Sequence, residues 1–187
     1  MIRSVEYTSE ADLLGRLPSA ATGVISITEP GRSAPIPAGW GAIHRVRFAD
    51  AEWNDAMVER LRARGRKFDP QQKGFPSEQS AREILAALRT LHTSRDVQHV
   101  IVHCHAGKRR SAAVAKFIAL RCGLTFDHDY DGYNRTVLRL LLHAIQANQN
   151  RSRVSGRPSL IARWLLSPVF VSRQGSFVTP PLTRTRQ

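Results

Sequence analysis

The segment His103-Cys104-His105-Ala106-Gly107-Lys108-Arg109-Arg110-Ser111 sets a cysteine and an arginine six positions apart, with five residues between them. Five residues suffice to wrap the backbone so that successive N–H groups point inward, making a nest that holds an anion at the positive end of the following helix. His105, Ala106, Gly107, Lys108 and Arg109 would line that nest. Gly107 relaxes its backbone, and the planar fork of Arg110 suits two oxygens at once. The same positive surroundings favour the Cys104 thiolate over the thiol. A thiolate placed there can attack phosphorus in line with the leaving oxygen, giving a phosphocysteine that water later cleaves. Arg110 and the nest would stabilise the equatorial oxygens in both steps.

The leaving oxygen needs a proton, usually supplied by an aspartate on a nearby loop. Asp50 follows directly on a predicted strand, whereas Asp69 lies closer to Cys104 in sequence but has no strand before it. Topology favours Asp50, and Asp69 stays open as the alternative.

These residues need a strand and a helix to hold them. Val97 to His103 is a compact β-branched run suited to a central strand buried on both faces, and Ser111 to Cys122 is strongly helical, closed by Gly123 at its C-cap. Upstream, Ser9-Glu10-Ala11-Asp12 has the form of a capping box that starts a first helix through Leu13, Leu14 and Leu17, ended by Pro18. Gly23 to Thr28 and Ile43 to Phe48 read as strands separated by a turn-rich loop from Pro30 to Gly41. Residues 51 to 77 carry mixed signals, with a helical stretch at Trp53 to Leu61 and a loop from Asp69 to Pro76. Ala81, Ile84, Leu85, Leu88 and Leu91 recur at helical spacing over Glu78 to Leu91, and a last helix is expected from about Asn134 to Ile145. The expectation is an α/β fold: a central, mostly parallel sheet flanked by helices, with the phosphate-binding loop between a central strand and a helix.

At 187 residues the chain suits one domain, assigned to residues 1–145, followed by a basic, loosely ordered extension over 146–187. The extension holds seven arginines and no acidic residue, more than half of a net charge of +13. A pI near 11.2 favours encounter with polyanions, so a phosphorylated substrate is expected, with an anionic surface or nucleic acid met through the extension. Only Cys104 and Cys122 are present, and Met1 to Leu14 mixes acidic and basic residues with apolar ones, which points to the reducing cytoplasm rather than secretion. The apolar stretch Leu160 to Val171 is broken by Arg163 and Pro168 and falls short of the roughly 20 residues that span a bilayer, so no transmembrane helix is expected. Asp127 to Gly132 begins like a calcium loop but has Leu138 where a bidentate glutamate is required, and reads as a polar turn. No histidine spacing suggests a metal site, and the chemistry calls for no cofactor.

The segment from His103 to Ser111 resembles the HCx5R(S/T) signature of protein-tyrosine and dual-specificity phosphatases, and from about residue 20 to 145 the chain is similar to compact bacterial and phage dual-specificity-like phosphatases. The resemblance implies that Cys104 is the nucleophile, Arg110 binds phosphate, Ser111 helps the thiolate leave and His103 orients the loop. It implies a hydrolase of phosphate monoesters of the protein-tyrosine or dual-specificity type. Lys108 and Arg109 depart from the usual small or polar residues, and Lys108 is similar to the basic loop of phosphoinositide phosphatases. That keeps inositol phosphates, phospholipid headgroups and RNA 5′ ends among the substrates. A catalytically inactive phosphate-binding module would use the same amides and Arg110, and rhodanese-like sulfurtransferases also place a cysteine in an anion-binding loop.

Overall fold

The computed structural model describes residues 1–127 and 129–155. Its elements in chain order are β1 (Ser4–Ser9), α1 (Glu10–Leu14), β2 (Thr22–Thr28), β3 (Ala42–Arg47), α2 (Asp55–Ala63), α3 (Glu78–Thr93), β4 (His99–Cys104), α4 (Arg110–Cys122) and α5 (Arg135–Ser155). The strands form one sheet in the order β1-β4-β2-β3, and every adjacent pair is parallel. The molecule is therefore an α/β protein with helices against its sheet.

Alternation along the strands decides what each face meets. Ile25, Ile27, Val100, Val102 and Cys104 point into the main core, against the apolar stripes of α3, α4 and α5. On the opposite face Val24 and Ile101 pack on Leu13 of α1, with Ile36, Trp40 and Ile43 partly covering them. β4 sits between β1 and β2, so its C-terminal end, where Cys104 lies, is supported on both sides. Parallel strands release their loops at the same edge, and in open α/β sheets that edge is where ligands bind.

Most predicted elements are present within one or two residues of their expected ends. Ser9 caps α1 by accepting from the Asp12 N–H at 3.0 Å. The helix stops at Gly15, so Leu17 lies outside it, fully exposed, and Pro18 is not its terminator. β1 was not expected: its period-2 signal rests on Val5 and Tyr7 alone, and its outer edge alternates with exposed residues. The mixed stretch resolves into α2, capped by Asn54, whose Oδ1 accepts from the Met57 N–H at 2.8 Å. The last helix runs ten residues past its expected end near Ile145. The shift to polar residues at 146 marks exposed positions of the same helix, Gln146, Ala147, Asn148 and Asn150 among them, rather than its end. The rest of the extension, 156–187, and the apolar stretch Leu160 to Val171 lie outside the described residues. Among the described residues, no helix is long and apolar enough to cross a membrane.

Candidate active site

β4 ends at Cys104 and α4 begins at Arg110, so the five residues between them cross the edge of the sheet in one loop. Gly107 is fixed there for two reasons. Its φ is +68°, in the left-handed region that side chains avoid, and a Cβ would lie 2.3 Å from the Ser9 nitrogen and 2.5 Å from the Thr8 carbonyl carbon. The loop thus rests directly on the end of β1.

Its carbonyls are tied outward. The His105 carbonyl accepts from the Glu10 N–H (3.3 Å), that of Arg109 from the Asn134 N–H (3.0 Å), and that of Lys108 from the Tyr130 hydroxyl (2.7 Å). Because C=O and the next N–H point in opposite directions across a peptide plane, outward carbonyls turn the N–H groups of Ala106, Arg109 and Arg110 inward. Those amides find no acceptor among the described residues. Unpaired donors at a helix N-terminus attract an anion.

Cys104 is 2% exposed, and its Sγ lies 3.2 Å from the Oγ of the fully buried Ser111. Arg110 is buried as well. Its Nη1 donates to the Phe48 carbonyl at 2.7 Å and pairs with Glu29 Oε1 at 2.8 Å, while its Nε is buried without a partner among the described residues. One edge of the guanidinium is anchored, and the other retains an unsatisfied donor. Sequence reasoning passed over Glu29, which carries no local pattern that would single it out.

His103 lies on the other face of the sheet from Cys104, completely buried, and neither ring nitrogen has a partner among the described residues. Burial drives its pKa down to about 4; Glu10 opposes that shift and Arg45 adds to it. Between pH 4 and the ordinary value near 6.5 the unfolded chain binds more protons at this site than the folded one. Its contribution is present above 6.5 and is lost as pH falls through that window, by up to about 3 kcal/mol. Urea unfolding between pH 7 and 4.5 should accordingly show a shallower loss of stability in His103→Leu than in the parent chain. An unchanged pH slope would contradict this.

Asp50 reaches the loop. Its Oδ2 lies 3.3 Å from Arg109 Nε, and its Oδ1 accepts from Asn134 Nδ2 at 2.8 Å. Arg109 also pairs with Glu52 at 3.1 Å. The segment that carries Asp50 is held firmly: Trp53 exchanges hydrogen bonds with Thr136 Oγ1 (2.8 and 2.7 Å), and its indole donates to the Pro76 carbonyl at 2.9 Å. Asp69, by contrast, is spent on its own turn. Its Oδ1 accepts from the N–H groups of Gln71 and Gln72 at 2.9 and 3.1 Å, and no hydrogen bond joins it to the phosphate loop.

Asn134 is the residue that sequence reasoning undervalued. Fully buried, it caps α5 through Oδ1 (Val137 N–H, 3.0 Å), donates its backbone N–H to Arg109, and gives its Nδ2 hydrogens to Asp50 and the Ala51 carbonyl. An asparagine just before a helix announces a cap; the contacts 84 residues away are invisible locally.

Of the remaining loop residues, His105, Ala106, Lys108 and Arg109 are exposed. In the stretch that begins like a calcium loop, Asp127 Oδ1 accepts from the Asp129 N–H at 3.1 Å. Among the described residues, no cluster of three or more metal-ligating side chains occurs. Cys122 is half-buried, and burial raises its thiol pKa against the opposing effect of Arg121. Comparison of the chain with protein-family models and with curated proteins finds no match.

Proposed function

We propose that the chain is a cysteine-dependent phosphatase that hydrolyses phosphate monoesters through a phosphocysteine intermediate, on a fold of the Cys-phosphatase type. The observation that carries this reading is the convergence on one loop of Cys104 Sγ, inward amides without acceptors and the unsatisfied Nε of the anchored Arg110. A phosphoryl group seated on those donors presents phosphorus to Sγ. The thiolate forms the S–P bond as the ester P–O bond breaks, and Asp50 protonates the departing oxygen. Water then cleaves the S–P bond, with Asp50 taking its proton, and the Ser111 hydroxyl donates to Sγ as the thiolate leaves. In the ligand-free chain Asp50 accepts from Arg109 and Asn134, so the substrate must draw Arg109 away before Asp50 can hold a proton towards it.

Protein tyrosine or dual-specificity substrates fit this chemistry. Lys108 is exposed and has no carboxylate within salt-bridge distance among the described residues, which favours polyanionic esters such as inositol phosphates, phosphoinositides or RNA 5′ ends as the second reading. A pure phosphate binder would need only the amides and Arg110, and would have no use for the Cys104–Ser111 contact. The basic extension is the proposed contact for anionic surfaces or nucleic acid, in the cytoplasm.

Leaving-group dependence tests the acid. Asp50→Asn should depress hydrolysis of phenyl phosphate or phosphotyrosine by roughly 10²–10⁴-fold and that of a nitrophenyl phosphate, whose leaving group needs no proton, much less. Asp69→Asn should do neither. A loss confined to the Asp69 variant would transfer the role to that loop.

A further inference from the structure

We propose that the α1 side of the phosphate loop carries a second anion subsite, formed by Arg45 and Arg47 of β3, that selects substrates bearing a further phosphate beside the one to be removed. The inference rests on the phosphatase reading for which phosphate is hydrolysed.

Arg45 and Arg47 are two residues apart on one strand and share a face. The sheet register sets Arg45 beside Ser26, which pairs with His103, and sets Arg47 beside Thr28. The next position along that face of β4 is His105, the first residue of the phosphate loop. Two strand spacings, about 10 Å, separate the β3 and β4 backbones, and the 32–34 loop links the two: Arg47 bonds the Arg32 carbonyl, and the Arg32 side chain reaches His105. Arg47 also immediately precedes Phe48, whose carbonyl anchors Arg110.

Neutral groups hold both side chains. Arg45 Nη1 donates to the Ala34 carbonyl at 2.8 Å and to Ser33 Oγ at 3.3 Å, and Arg47 Nε donates to the Arg32 carbonyl at 3.3 Å. The other arginines around the loop are neutralised: Arg109 by Asp50 and Glu52, Arg110 by Glu29, Arg32 by Glu10. Among the described residues no carboxylate lies within salt-bridge distance of Arg45 or Arg47. Both are exposed, and each guanidinium carries five N–H donors of which these bonds use few.

The rim adds a directed donor. Arg32 Nη1 lies 3.1 Å from His105 Nδ1, and an arginine N–H can only donate, so Nδ1 accepts and the ring proton sits on Nε2. Edge strands often carry charge to deter pairing, but that purpose requires neither a shared face nor stems fixed by the 32–34 loop. The arrangement is a pre-oriented pair of cations beside the reaction site, and pre-orientation is what gives bidentate arginines their grip on phosphate.

The test uses the full chain carrying Cys104→Ser, which cannot turn over. Calorimetry would compare singly and doubly phosphorylated forms of one peptide, and an inositol monophosphate with its bisphosphate. In at least one of these pairs the bisphosphate should bind about 10- to 100-fold tighter at low salt, as expected for one or two charge-assisted contacts, and the pair showing the gain identifies the scaffold. Adding Arg45→Gln and Arg47→Gln should remove the gain while leaving monophosphate affinity within about twofold, whereas Arg45→Lys with Arg47→Lys should keep part of it. Equal affinity within both pairs, or a gain that survives the glutamine changes, overturns the subsite. Parallel assays of the parent chain separate the two readings: no hydrolysis of any monophosphate, with the gain intact, overturns the phosphatase assignment and leaves the subsite standing.

Discussion

Cys104→Ser is expected to lower turnover of an aryl phosphate by roughly 10⁴-fold or more, the scale seen when a covalent nucleophile is removed, while phosphate or vanadate still binds. The two halves of that result have separate causes. A serine hydroxyl at this position is not ionised near neutral pH, so the attacking group is lost. The inward amides and Arg110 are untouched, because the loop is held by Glu10, Tyr130 and Asn134 from outside and by the close approach of Gly107 to β1. Steady-state kinetics together with vanadate binding by calorimetry would check both. Near-parental activity would remove Cys104 from the mechanism, and loss of binding along with activity would mean that the thiol also shapes the loop.

Arg110→Lys should cost roughly 10²–10³-fold in kcat/KM, comparable with deleting one strong oxyanion donor. The guanidinium serves two masters: Nη1 meets Glu29 and the Phe48 carbonyl, and Nε remains for the phosphoryl group. An ammonium has one tip and cannot satisfy both sides. If it stays with Glu29, the phosphoryl group loses its clamp; if it turns to the phosphoryl group, Glu29 adds an unneutralised negative charge beside an anionic substrate. Kinetics near those of the parent chain would show that the amides alone hold the phosphoryl group.

The strand, loop and helix around Cys104 could be read directly because three local signals agree: a β-branched run, a glycine-containing loop, and a helix closed by Gly123, whose φ is +65°. Consistency between levels is what makes such a segment readable. The reason Gly107 is indispensable was not readable, since it depends on Thr8 and Ser9 of a strand that the sequence barely announces. Asp50 could be favoured over Asp69 from the strand before it, and the structure ties it to Arg109. What fixes it there, Asn134 and the Trp53–Thr136 exchange, joins segments 83 and 84 residues apart. Pairings at that separation are set by tertiary packing and leave no periodic trace. The end of α5 differs for another reason: composition changes to polar residues at 146, yet a change in polarity does not by itself stop a helix, and α5 continues through Ser155.

The central claim is that phosphorus passes through Cys104. Rapid denaturing quench during turnover of a radiolabelled aryl phosphate, followed by peptide mapping under alkaline conditions that preserve an S–P bond, should find covalent label on the peptide containing Cys104 in the parent chain and none in Cys104→Ser. Label on any other residue, or steady turnover by the serine variant at the parental rate, would contradict it.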